Sequence, residues 1–309
     1  MTTRHVGHRL RDLVEASRTL ASAVWLCAFA MGCGGSGDHP DGTVPPEARP
    51  APEAPRIVAV DAAGETGLDF VHVTGADGRF FYVEIMTVGG ALVDVDNDGD
   101  LDVYAVQGGP IDPGGRSGGL DRLFLNLGSA DGGQPRFEEA VGFGTVGGYG
   151  MGVATGDFDG DGWVDLYVTR VGPNALLRNL EGRGFADVTE RAGVAGDELS
   201  SSAAFVDLDQ DGRLDLYVVN YLRYSLETDK ACTDMVGLRE YCGPQSYDPE
   251  QDRLYRNLGD GRFEDVTDAA GIDRAGPGLG VVAGDFDADG RPDLYVANDQ
   301  ASNHLWRNV

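Results

Sequence analysis

Asp94-Val95-Asp96-Asn97-Asp98-Gly99-Asp100-Leu101-Asp102 is the stretch on which the fold turns. Carboxylates stand at positions 1, 3, 5 and 9 of this nine-residue loop, with glycine at position 6. The same frame returns as Asp157, Asp159, Asp161, Gly162, Asp165; as Asp207, Asp209, Asp211, Gly212, Asp215; and as Asp285, Asp287, Asp289, Gly290, Asp293. The loop starts lie 63, 50 and 78 positions apart. A single Asp-Gly loop is an ordinary turn, but four in one frame are a repeat.

The flanks repeat with the loops. A short run of small or apolar residues precedes each: Gly90 to Val93, Gly152 to Gly156, Ala203 to Val206 and Val281 to Gly284. An apolar run follows, with tyrosine two places past the last aspartate (Tyr104, Tyr167, Tyr217, Tyr295). Then come Leu123 to Asn126, Leu176 to Asn179, Leu254 to Asn257 and Leu305 to Asn308, each beginning with leucine and ending with asparagine. Three of these lead to a phenylalanine phrase at Phe137, Phe185 and Phe263. Short β-branched or aromatic runs bounded by Gly and Asp predict strands. Four strands per unit at this period predict an all-β fold, a β-propeller of four-stranded blades, over residues 57–309. The small residues before each loop suit the innermost strands, which crowd around an axis. The stretch from Arg56 to Gly64 echoes Arg262 to Gly271, so the two ends of the domain are expected to pair within one blade.

Loop chemistry predicts the ligand. Carboxylates at positions 1, 3, 5 and 9, with the backbone carbonyl of position 7, make a shell of hard oxygen donors suited to Ca²⁺. The predicted ligands are Asp94, Asp96, Asp98 and Asp102; Asp157, Asp159, Asp161 and Asp165; Asp207, Asp209, Asp211 and Asp215; and Asp285, Asp287, Asp289 and Asp293. Asp100, Trp163, Arg213 and Arg291 would contribute carbonyls, which fits their unrelated side chains. An EF-hand would need Glu at position 12, where this chain has Ala105, Val168, Val218 and Val296. About four structural calcium ions are expected from the four loops.

The N-terminus is of another kind. Arg4, Arg9, Arg11 and Arg18 precede an apolar stretch from Thr19 to Met31, which predicts an export signal over residues 1–32. Ala30-Met31-Gly32-Cys33 resembles a lipoprotein cleavage site with Cys33 acylated; a plain cleaved signal and an uncleaved anchor are the alternatives. Residues 33–56, rich in Gly and Pro, read as a flexible tether. Export, to an outer-membrane, periplasmic or cell-surface location or into the medium, would put Cys232 and Cys242 in an oxidising compartment. There they either close an 11-residue loop as a disulfide or remain thiols.

The formal charge of −27 argues against nucleic acid and anionic membrane surfaces as partners, leaving a lipid anchor as the only expected membrane link. Residues 57–309 contain two histidines, His72 and His304, and one lysine, Lys230. No phosphate-binding glycine loop, nucleophile elbow or zinc cluster occurs. The reading is therefore a non-catalytic binding or adhesion module for protein or carbohydrate, with Tyr221 to Gln251 as its specificity loop. The alternatives are a propeller enzyme acting on polysaccharide and a passive envelope scaffold.

These phrases resemble FG-GAP/VCBS repeats, which integrin α-subunit propellers share. Gly67 to His72, Glu84-Ile85-Met86, the first Asp loop and Tyr241-Cys242-Gly243-Pro244 are similar to bacterial relatives of the cartilage acidic protein (ASPIC/UnbV) family. That resemblance implies an extracellular or periplasmic seven-bladed propeller, often with a C-terminal ASPIC/UnbV segment. Four loops without that segment imply either a fragment with an incomplete ring or a small four-bladed form.

Overall fold

A computed structural model describes residues 58–86, 88–112, 118–129 and 133–309. The export signal, the tether and Cys33 lie outside the described residues. The residues from Val60 to Val309 form one compact unit.

Every Asp loop joins the inner strand of a sheet to its second strand, as the repeat predicts. Sheet 1 runs Gly90–Val93, Asp102–Ala105, Arg122–Asn126, Phe137–Glu139. Sheet 2 runs Gly150–Gly156, Asp165–Arg170, Ala175–Asn179, Phe185–Asp187. Sheet 3 runs Ser200–Val206, Asp215–Asn220, Arg253–Asn257, Phe263–Asp265. Sheet 4 has three strands among the described residues: Gly278–Gly284, Asp293–Asn298 and His304–Trp306. All pairings are antiparallel, in the up-and-down order of the chain.

Inner strands of consecutive sheets lie side by side, which explains their small residues. A Cβ on Gly152 would stand 2.7 Å from the Ser201 carbonyl oxygen of the next sheet, closer than real side chains come. The second strands are covered on both faces, so Asp165–Arg170 is buried at five successive positions rather than at alternate ones. The core consequently lies between sheets, in three repeats of one arrangement. Val95, Tyr104 and Leu123 of sheet 1 meet Leu166, Val168 and Leu177 of sheet 2. Phe158, Tyr167 and Leu176 of sheet 2 meet Leu216, Val218, Tyr255 and Phe263 of sheet 3. Tyr217 and Leu254 of sheet 3 meet Leu294, Val296 and Trp306 of sheet 4. Burial of each large apolar side chain is worth about 1.5–3 kcal/mol.

The predicted pairing of the two chain ends is not found among the described residues. Ala63–Thr66 is instead a helical turn closed by Gly67 at φ 91°, like Thr189–Ala192 closed by Gly193 at φ 77°. Asp61 Oδ1 accepts the Ala63 N–H as Asp187 Oδ1 accepts the Thr189 N–H. The echo therefore marks a corner of the same kind, and it closes three residues further along the chain than the Gly64 match suggests. Space at Gly67 is limited by the Phe137 carbonyl of sheet 1, just as the Phe185 carbonyl limits Gly144.

The insertion after sheet 3's second strand is tied into the rest of the fold. Cys232 and Cys242 are disulfide-bonded. The stapled segment packs on the chain just before sheet 1 rather than standing free. Tyr82 donates its N–H to Asp229, Tyr241 donates its hydroxyl to Glu84 at 2.8 Å, and the rings of Phe80 and Tyr241 meet edge-on. Tyr82, Tyr224 and Tyr247 form a buried aromatic cluster. The Tyr82 and Tyr221 hydroxyls are 2.7 Å apart, and Tyr221 donates to Asp299 beside sheet 4. Tyr221 to Gln251 is thus in large part a clamp joining distant parts of the fold; only its tip, Met235 to Leu238, is wholly exposed at the large apolar residues.

Candidate metal centres

Two left-handed residues shape each Asp loop. Position 6 is glycine at φ 87° to 93° (Gly99, Gly162, Gly212, Gly290). Position 4 is Asn97, Gly160, Gln210 or Ala288, at φ 58° to 71°. For the three non-glycine residues this backbone is strained, by roughly 1 kcal/mol each. The hydrogen bonds that hold it are the same in every loop. The position 1 carboxylate accepts N–H bonds from positions 5 and 6: Asp94 from Asp98 and Gly99, Asp157 from Asp161 and Gly162, Asp207 from Asp211 and Gly212, Asp285 from Asp289 and Gly290. The position 5 carboxylate accepts the N–H of position 7, in Asp100, Trp163, Arg213 and Arg291.

The position 9 aspartate fixes the loop to the sheet. Asp102, Asp165, Asp215 and Asp293 are at most 4% exposed. One oxygen of each accepts the N–H of position 2 in its own loop (Val95, Phe158, Leu208, Phe286). The other accepts the N–H of the third-strand asparagine (Asn126, Asn179, Asn257, Asn308).

That asparagine also links consecutive sheets. Asn179 Nδ2 donates to the Val95 carbonyl of the loop before it, Asn257 to Phe158, and Asn308 to Leu208, at 2.7–2.8 Å. The leucine-to-asparagine phrase was visible as a repeat in the sequence, but this role was not, because its partners belong to the preceding sheet.

Carboxylate oxygens converge in all four loops. In the first three the group is positions 1, 3 and 9: Asp94, Asp96 and Asp102; Asp157, Asp159 and Asp165; Asp207, Asp209 and Asp215. In the fourth it is positions 1, 3 and 5: Asp285, Asp287 and Asp289. Within each group one oxygen per residue lies within 4.8 Å of the others. Oxygens bound to one Ca²⁺ at 2.3–2.6 Å are separated by at most about 5 Å, so the spacing and the all-oxygen donor set fit a hard cation. Asp98, Asp161, Asp211 and Asp293 stand outside these groups. Arginines approach aspartates inside and outside the groups: Arg178 contacts Asp159 and Asp161 at 2.5 and 2.8 Å, Arg213 contacts Asp211, Arg291 contacts Asp289 at 2.6 Å, and Arg307 reaches Asp287 at 3.4 Å.

The concentrated negative charge has a cost that a cation would relieve. Two carboxylates some 4 Å apart repel by about 4 kcal/mol at a near-surface effective dielectric. Burial, reinforced by Asp159 and Asp161, pushes Asp165 up to about 7. Burial also raises Asp96, Asp102 and Asp215, again with neighbouring aspartates adding to it. The two histidines are outside these groups, and burial lowers the pKa of both His72 and His304.

The comparisons with known proteins bear on the repeat itself. Residues 94–168, 157–218 and 233–308 match the model of the FG-GAP-like repeat. Cartilage acidic protein 1 of Xenopus tropicalis is 26% identical over 278 residues, covering 72% of this chain and 41% of that protein. The chain thus spans about two fifths of the length of this relative. The matched segments begin at the first Asp loop and run through the fourth, and on that match the chain belongs to the FG-GAP-like repeat family.

Proposed function

We propose that this chain is an exported, calcium-stabilised repeat module that binds protein or carbohydrate at the cell envelope and catalyses no reaction. The observation that carries the reading is the convergence of three carboxylates in each of four loops, on a frame of hydrogen bonds repeated almost bond for bond. Calcium at these points would neutralise the loop charge and tie inner strand, second strand and third strand together, because the position 9 aspartate already contacts all three parts. A ligand that binds only the folded state at a hundred times its Kd adds about 2.7 kcal/mol per site. The carboxylates are engaged with loop N–H groups, so a structural ion accounts for them without a reaction.

The test is metal analysis after gel filtration in calcium, joined to melting curves with and without EDTA. About four ions per chain and a marked fall in Tm on chelation are expected. Metal content near zero, with melting unchanged by EDTA, refutes the calcium reading. For the binding reading, retention on acidic glycans or envelope proteins without turnover is expected, and release of unsaturated sugar products from such glycans refutes it.

A further inference from the structure

Position 4 of the Asp loops carries a bond from one loop to the next. Asn97 of the first loop donates from Nδ2 to the Gly162 carbonyl of the second, at 3.0 Å. Gln210 of the third loop donates from Nε2 to the Gly290 carbonyl of the fourth, at 2.6 Å. Both bonds join position 4 of one loop to position 6 of the following one. Between the second and third loops position 4 is Gly160, which has no side chain to donate. The third-strand asparagines Asn179, Asn257 and Asn308 tie consecutive sheets alike, so position 4 is what distinguishes these two pairs of loops.

Both ends of each bond touch the carboxylate frame. Asn97 and Gln210 directly follow Asp96 and Asp209, members of the converging groups, and both stand at φ 58°. At the accepting end the Gly162 N–H donates to Asp157, and the next N–H, of Trp163, donates to Asp161. Gly290 and Arg291 do the same with Asp285 and Asp289. Fixing position 4 in one loop therefore holds the peptide that positions carboxylates in the next.

We propose that the four centres take up calcium as two coupled pairs, the first loop with the second and the third with the fourth, and that the second and third loops lack this coupling. The pairing rests on the calcium reading above and adds which site assists which. Coupling of this kind is reciprocal: a loop already ordered presents its donor or acceptor in place, so its neighbour gives up less freedom on binding. A single hydrogen bond changes an equilibrium constant by roughly 2- to 10-fold. Charge works in the opposite direction, because a cation in one loop repels a second cation from the next. By charge alone, emptying a neighbour would tighten the remaining site, whereas the position 4 bond makes emptying it weaken that site.

The test is a calcium titration of the full chain carrying isotope-labelled glycine, followed by NMR. The position 6 amides of Gly99, Gly162, Gly212 and Gly290 report the loops one by one. With the second loop disabled by Asp159→Ala, the midpoint of Gly99 should rise roughly 2- to 10-fold and that of Gly212 should not rise. In an Asn97→Ala background the rise at Gly99 should vanish; Asn97 is exposed, so its truncation leaves the core intact. Gly160→Asn supplies the missing donor. Gly160 stands at φ 71°, a backbone that asparagine adopts, and nothing lies within 4 Å of an added Cβ. In that variant, disabling the third loop by Asp209→Ala should raise the midpoint of Gly162, as it should not in the parent chain. If no glycine amide responds to calcium, the calcium reading fails and the pairing with it. If the amides respond but Asp159→Ala moves Gly99 and Gly212 alike or moves neither, if Asn97→Ala leaves the rise intact, or if Gly160→Asn couples nothing, the pairing is overturned and the calcium reading stands.

Discussion

Asn257→Ala should be among the most costly single substitutions in the chain outside the apolar core. The side chain is 1% exposed. Its Nδ2 donates to Phe158 O at 2.8 Å and Leu214 O at 3.0 Å, and its Oδ1 accepts the Gly259 N–H at 2.9 Å. Truncation strands two carbonyls and one N–H. At about 1–1.5 kcal/mol for each lost bond to a buried group, the loss over three bonds is about 3–4.5 kcal/mol. Asn126→Ala is the control. Asn126 stands at the same place in sheet 1, but among the described residues its side chain bonds only Leu101 O and the Gly128 N–H. Among the described residues it makes no bond to a preceding sheet, and the expected loss is about 1–2 kcal/mol. Urea denaturation of the two variants at constant calcium measures the difference. In a domain of this size each kcal/mol also moves Tm by about 2–4 °C. Equal losses within about 0.5 kcal/mol would refute the claim that this asparagine joins consecutive sheets.

Asp252 is buried beneath the Tyr217 hydroxyl and the Asn220 N–H, and burial pushes it up to about 6. The folded state therefore holds a proton that the unfolded state releases near pH 4, and this group's contribution to stability falls as pH rises from about 4 to about 6. The change is about 3 kcal/mol at most. Asp252→Asn should raise Tm at pH 7.5 in EDTA and leave it unchanged at pH 4; sheets 2 and 4 already carry Asn174 and Asn303 at this place. Asp121, raised to about 6 by burial in the same position of sheet 1, should behave alike. Asp209→Ala should lower both calcium content and Tm, whereas Asp100→Ala should alter neither measurably. Cys232→Ser should free the clamp and make the segment around Arg79 to Met86 cleavable by limited proteolysis at a temperature where the parent chain resists.

Much of the fold was legible because it is local and repeated. Alternation of small, acidic and apolar runs at four places located the inner strand, the loop, the second strand and the third strand of every sheet. Leu305 to Asn308 was recognised by its likeness to Leu254 to Asn257, and the structure pairs both with the second strand as expected. The convergence of position 1 and position 3 aspartates was also readable, since five residues of loop suffice to bring them together.

Other features depend on groups far apart in the chain. Whether position 5 or position 9 completes a carboxylate group was not legible: the first three loops use position 9 and the fourth uses position 5, although all four share one sequence frame. The bond from Asn257 to Phe158 spans 99 positions, and the contact of Tyr241 with Glu84 spans 157. The paired cysteines were visible, but the surface on which their loop closes was not. The sequence by itself determined the repeating unit, because strand propensity and loop turns act over a dozen residues. Only the tertiary structure decided how units join and where the clamp docks, because those outcomes depend on packing between surfaces that no local pattern encodes.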